Sequence, residues 1–168
     1  MESLPGERVV LRPLTEADRP EIRRILGDPS VARWWGPGGL ETRVDEWFSD
    51  DGTVRFAIVV DAVMAGTVQY HEENEPDYRH AGLDIFLDEG HQGQGLGSDA
   101  LRTLARYLFE VRGHHRLTID PSATNERAIR AYARVGFRPV GVMRRYERGA
   151  DGTFHDGLLM DLLADELR

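Results

Sequence analysis

Residues 87–102, "LDEGHQGQGLGSDALR", hold three glycines at alternating positions, Gly93, Gly95 and Gly97. Upstream, residues 81–87 ("AGLDIFL") read as a buried strand. Downstream, Leu101, Leu104, Ala105 and Leu108 fall on one face of a helix, and Gly113 is its natural C-terminal stop. A strand, a glycine turn and a helix N-terminus in that order make an anion site. The first helical amides lack partners, and the helix dipole adds partial positive charge. Glycine also lets a bulky ligand approach the backbone. The stretch therefore predicts a phosphate-bearing ligand, against the simpler reading of a bare tight turn.

The rest of the chain frames that turn. Its 168 residues fit one domain, 1–168, with an ordinary core. No apolar run approaches the roughly 20 residues of a membrane span, and the N-terminus shows no signal-peptide pattern. There are no cysteines, which excludes disulfides, Cys-ligated zinc and thiol catalysis and makes a cytoplasmic location the expectation. The six histidines show no metal-ligand spacing, so no metal is expected. A net charge of −8 disfavours nucleic acid as a partner and suits a cationic one, although acidity alone is also what keeps many proteins soluble.

Strand patterns occur at 8–14, 54–61, 64–71, 81–87 and 116–120, with two more around a Gly-Ala-Asp-Gly turn in 138–163. Helical patterns follow residue 18, at 28–35, at 40–48, from the glycine turn to Gly113, and at 122–137. Asp18 and Glu21 read as a capping box, with Pro20 tolerated in the first turn. Strands interleaved with helices in the middle predict an α/β fold with mixed parallel and antiparallel pairing. The closing hairpin could pack against its own sheet or against a second copy, as a homodimer.

Two phosphate readings compete. A dinucleotide fingerprint needs G-x-G-x-x-G directly after its strand, in a larger doubly wound sheet. Here Ser98 stands where the third glycine belongs and Asp88–Gln92 intervene, although Asp120 lies near where a ribose-binding acid would be. The better reading is Q-x-x-G-x-G, from Gln92 to Gly97. Together with the preceding strand, the later "NERAIRAYARVGF" (125–137) and the closing hairpin, it resembles the GNAT superfamily of N-acetyltransferases.

The resemblance implies a mostly antiparallel sheet with a central, splayed parallel strand pair, flanked by helices. It implies acetyl-coenzyme A as co-substrate. The pantetheine arm would pair with backbone of Ile85, Phe86 and Leu87, and a free amide near Leu87 would stabilise the oxyanion. The pyrophosphate would lie on the amides of Gln92, Gly93, Gln94, Gly95, Leu96, Gly97 and Ser98. Asn125 matches the position that hydrogen-bonds the cofactor arm, and Tyr132, two helical turns on, matches the general acid. The alternative for Tyr132 is core packing with a satisfied hydroxyl.

The acceptor is read from two carboxylates. Asp84 interrupts an apolar run and Asp120 closes "RLTID" before Pro121. A charge there is costly unless it is paired or lines a site. The two could hold an ammonium, and one could take its proton directly or through water. The bland alternative is loop capping, more apt for Asp120 than for Asp84. "DIFL" (84–87), "DPSATNERAIRAY" (120–132) and "WWG" (34–36) look like the aminoglycoside 6'-N-acetyltransferases. That implies a cationic amine acceptor, an antibiotic-resistance activity, and substrate contacts from Trp35, Asp84 and Asp120. The acidic loop with Glu72, Glu73, Glu75 and Asp77 reads as a lid for a polycation, against the simpler reading of a solvated loop. Lysine-side-chain acyltransferases of siderophore pathways share the Asp-Pro and Asn-x-Arg-Ala-Ile-Arg pattern. Ribosomal-protein N-terminal acetyltransferases resemble the opening "VVLRPLTEAD". An acyl-coenzyme-A-binding regulatory module without catalysis is the alternative from another class.

Overall fold

The computed structural model describes residues 2–168. Its eight strands form one sheet. In chain order they are β1 (Leu4–Pro5), β2 (Val10–Pro13), β3 (Val54–Val60), β4 (Val63–Glu73), β5 (His80–Leu87), β6 (Arg116–Ile119), β7 (Arg138–Arg148) and β8 (Phe154–Leu163). The spatial order is β1-β2-β3-β4-β5-β6-β8-β7. Every neighbouring pair is antiparallel except β5 and β6. This is the mixed pairing that the sequence predicts, arranged as the mostly antiparallel sheet with one central parallel pair that the resemblance implies.

Helices cover both faces. α1 (Arg19–Leu26), α2 (Pro29–Ala32) and α3 (Leu40–Glu46) lie on one side, and α4 (Leu96–Glu110) and α5 (Glu126–Val135) on the other. Alternation along β5 serves both cores. Leu83 joins the cluster under α4 and α5 with Leu101, Leu104 and Leu108, while Phe86 joins Ile22, Ile25 and Trp47 under α1–α3. Among the described residues, no helix is long and apolar enough to cross a membrane.

Two sequence readings of helix starts need correction. Asp18 makes no capping box with Glu21. Its carboxylate takes the Arg12 guanidinium at 2.7 and 2.9 Å and the Thr15 amide at 2.8 Å, and the Arg12 bonds hold it at about 2. Glu21 instead pairs with Arg24. The helix expected from residue 122 begins at Glu126, because Asn125 caps it, accepting the Ala128 amide at 3.2 Å.

The feature that positions the site is a short ladder. β5 and β6 pair only through Ala81–Leu83 and Leu117–Ile119, yet β5 runs on to Leu87. Its last four residues therefore have one edge unpaired. The Asp88 amide donates to Ala65 O at 2.9 Å across the β4 side. Peptide groups alternate along a strand, so those of Ile85 and Leu87 face the open edge.

Candidate active site

The open edge of β5 leads into a cleft of about 490 Å³. Its walls are Ile85, Phe86 and Leu87 of β5, the glycine turn, the start of α5, and residues 30–35 on the opposite lip. Gly95 has φ +80° and Gly93 φ +74°, the left-handed region that favours glycine. Gly97 sits under Leu87, where a Cβ would lie 3.4 Å from its Cδ1. The turn thus presses close to the strand end and lines the cleft with Gly93, Gly95, Gly97 and Ser98. Among the described residues, the amides of Gly93, Gln94, Gly95, Leu96, Gly97 and Ser98 donate to nothing within the chain, and the first bond of the turn into α4 is Asp99 N–H to Gly95 O at 3.1 Å. Six unpaired amides at the start of a fifteen-residue helix are an anion cradle.

Gln92 departs from its expected part in that cradle. Its own amide is taken by Glu89 O at 3.3 Å. Its side chain instead staples the turn, donating to Leu87 O at 2.8 Å and accepting from Arg127 at 3.1 Å. Arg8 adds a second tie, to Gln94 O at 2.6 Å. Leu96 contributes only backbone, since its side chain is in the core. Asn125 lines the cleft with its side-chain oxygen already engaged in the cap, which leaves its amide nitrogen for a ligand. Arg127 and Arg134 also line the cleft and were not singled out from sequence. Arg127 was legible in the same Asn-x-Arg pattern that marked Asn125.

Tyr132 lines the cleft. Burial, and then the charges of Asp84 and Asp120, push its phenol above the ordinary value, so it stays a protonated donor through the working pH range. Trp35 lines this same cleft, packed edge-on against Phe86 with centroids 5.6 Å apart.

A second cavity of about 250 Å³ opens on the sheet face that carries Gly82 and Asp84. Asp84 and Asp120 both line it, with Tyr146, Met143, His71 and Arg116. Asp84 shares a face of the sheet with Phe86, pairs with Gln69 across β4 and accepts its amide at 3.1 Å. Enclosure raises the Asp84 carboxyl, and the neighbouring charge of Asp120 raises it further. Asp120 accepts the Tyr146 hydroxyl at 2.6 Å. Arg116, the one arginine lining this cavity, is already paired with Asp161 at 3.0 Å. With that arginine paired, the two carboxyls leave the cavity acidic.

Glu72 and Glu73 do not take part. Glu72 sits at the end of β4 with both carboxylate oxygens occupied, by Arg112 at 2.8 and 3.0 Å and by buried His114 at 2.8 Å. The Arg112 bonds hold it at about 2. Glu73 caps the turn that follows, accepting the Glu75 amide at 2.9 Å. Neither reaches either cavity. The expected acidic lid is thus a strand end fastened to the loop after α4. No cluster of three or more possible metal ligands occurs among the described residues.

Residues 8–138 match the family of the acetyltransferase (GNAT) domain. Spermidine N(1)-acetyltransferase of Escherichia coli K12 is 28% identical over 158 residues, covering 90% of this chain and 84% of that protein. Aminoglycoside N(6')-acetyltransferase type 1 of Klebsiella pneumoniae is 28% identical over 160 residues, covering 82% and 78%. The structure of Mycobacterium smegmatis RimJ in complex with CoA-disulfide, 24% identical, has the same fold, with a TM-score of 0.87 over 99% of this chain and 89% of that one. The match spans most of the sequence and includes the splayed strand, the glycine turn and the helix that carries Tyr132, and on it the chain belongs to the GNAT acetyltransferase family.

Proposed function

We propose that this chain transfers the acetyl group of acetyl-coenzyme A to a primary amine of a polycationic small molecule, with the 6'-amino group of aminoglycosides as the first acceptor. The observation that carries the acceptor class is the second cavity, which Asp84 and Asp120 both line and whose carboxyls act electrostatically on Tyr132. An ammonium there offsets two nearby negative charges, one of them poorly solvated.

The GNAT family uses acetyl-coenzyme A, which supplies an activated acetyl thioester. The free amides of Gly93–Ser98 fit its pyrophosphate, and the open edge of β5 fits the amide-bearing arm. The Leu87 amide faces that edge and is the donor for the thioester carbonyl oxygen. Asp84 or Asp120, directly or through water, takes the proton from the attacking amine. Tyr132 donates its proton to the departing thiolate. Its phenol is raised partly by the two aspartates, so a cation placed between them makes it a better acid at the moment it is needed. No enzyme nucleophile is required, and the two substrates react in one ternary complex.

Similarity to a spermidine acetyltransferase favours a second acceptor, a linear polyamine, which the same acidic cavity would attract. The two are separated by comparing kcat/KM for kanamycin, for an aminoglycoside with a 6'-hydroxyl in place of the amine, and for spermidine. The proposal expects turnover on kanamycin and loss of it on the 6'-hydroxyl compound. Equal rates on both aminoglycosides would exclude the 6'-amine, and a spermidine kcat/KM above that of kanamycin would move the assignment to polyamines.

A further inference from the structure

Tyr146 reaches the acidic cavity only because β7 is irregular. Met143 and Tyr146 both line that cavity although they are three residues apart, which regular strand alternation forbids. The pairing shows how. Met143 faces Gly157 and Glu147 faces His155, so four steps of β7 are set against two of β8. The extra residues form a bulge in which Arg145 has φ +48°, a left-handed conformation uncommon for a residue with a side chain. Asp156 secures it, accepting the Arg145 amide at 2.8 Å. Opposite, Gly157 leaves room for the ring, since a Cβ there would lie 2.9 Å from Tyr146 Cδ1.

The strain has a consequence on the far side of the ring. The Tyr146 hydroxyl donates to Asp120 Oδ2 at 2.6 Å. That bond, with burial second, pushes the phenol up to about 12, so it remains a donor at every working pH. One oxygen of Asp120 is thereby fixed and the other is left without a side-chain or backbone partner among the described residues.

We propose that Tyr146 is a positioning residue for the acceptor: held inward by the bulge at Arg145, it orients the Asp120 carboxylate so that its free oxygen meets the substrate ammonium. This rests on the reading of the second cavity as the acceptor site. Strained backbone is tolerated where the surrounding structure over-determines it, and here Asp156 and Gly157 do so.

The test is steady-state kinetics of the whole enzyme with acetyl-coenzyme A, kanamycin and spermidine. Tyr146→Phe removes one hydroxyl from a half-exposed edge strand and leaves the ring in place. It should raise KM for the better amine about tenfold, the scale of one hydrogen bond to a charged group. The KM for acetyl-coenzyme A should not change, and kcat should stay within about twofold. Asp156→Ala, which frees the bulge, should reproduce the same split. Adding Tyr146→Phe to Asp120→Asn should cost nothing further, because the two act as one unit. An unchanged amine KM in Tyr146→Phe, or equal rises in both KM values, overturns the role of Tyr146 and leaves the acceptor site standing. A parent enzyme with no turnover on either amine removes the acceptor reading and this role together.

Discussion

Replacing Asp84 by asparagine should separate function from stability. The side chain keeps its shape and its place beside Gln69 but loses its charge. A carboxylate and an ammonium about 4 Å apart attract by about 4 kcal/mol at an effective dielectric of about 20. Desolvation of the incoming cation removes part of this, leaving about 1.5–3 kcal/mol, the range of hydrogen bonds to charged groups. The KM for the amine should therefore rise about 10- to 100-fold, with binding of acetyl-coenzyme A unaffected. Stability should move the other way. The folded protein raises the Asp84 carboxyl, chiefly by burial, so its ionisation opposes folding. That cost is absent at low pH, where the group is protonated in both states, and grows as pH rises through the carboxylate range. The variant should melt higher than its parent at pH 7, and the gain should vanish at about pH 3. Thermal melts at pH 7 and pH 3, with amine kinetics at pH 7, read both effects. An unaltered amine KM, or a variant less stable than its parent at pH 7, would show that Asp84 is a structural carboxylate.

Tyr132→Phe should lower kcat by about 100-fold, the lower end of general acid catalysis, while isothermal calorimetry finds the affinity for acetyl-coenzyme A nearly intact. An unchanged kcat with chemistry rate-limiting would remove Tyr132 from the reaction. Glu72→Gln should leave the kinetics on amines untouched and lower Tm at neutral pH. Its folded carboxyl is depressed to about 2, chiefly by Arg112, so its contribution is complete above the ordinary Glu value and lost as pH falls toward 2. The Tm gap between parent and variant should start to narrow below about pH 4 and close near pH 2, and a gap of constant size down to pH 2 would contradict the ion-pair role.

Much of this was legible in the chain. The glycine turn, its strand and its helix each carry a local signature, because the backbone demands of a tight strand-to-helix turn are met by residues adjacent in sequence. Asp84 was legible because a charge in an apolar strand stands out against its neighbours. What stayed hidden depends on distant pairing. Glu72 looked like part of a free acidic loop, since nothing in sequence announces that Arg112 and His114, forty residues on, would occupy it. Gln92 looked like a cradle amide, but its side chain is the staple. Tyr146 carried no signal at all. An unbroken strand would turn it away from Met143, and only the bulge at Arg145, invisible without the β8 register, brings it onto Asp120.

The decisive measurement is release of free coenzyme A thiol from acetyl-coenzyme A in the presence of kanamycin, spermidine, a lysine derivative and an N-terminal peptide. Acetyl transfer into an acidic cavity predicts saturable turnover on a polycationic amine and little on the lysine derivative or the peptide. Turnover confined to peptides, or tight acetyl-coenzyme A binding with no turnover on any amine, would contradict it.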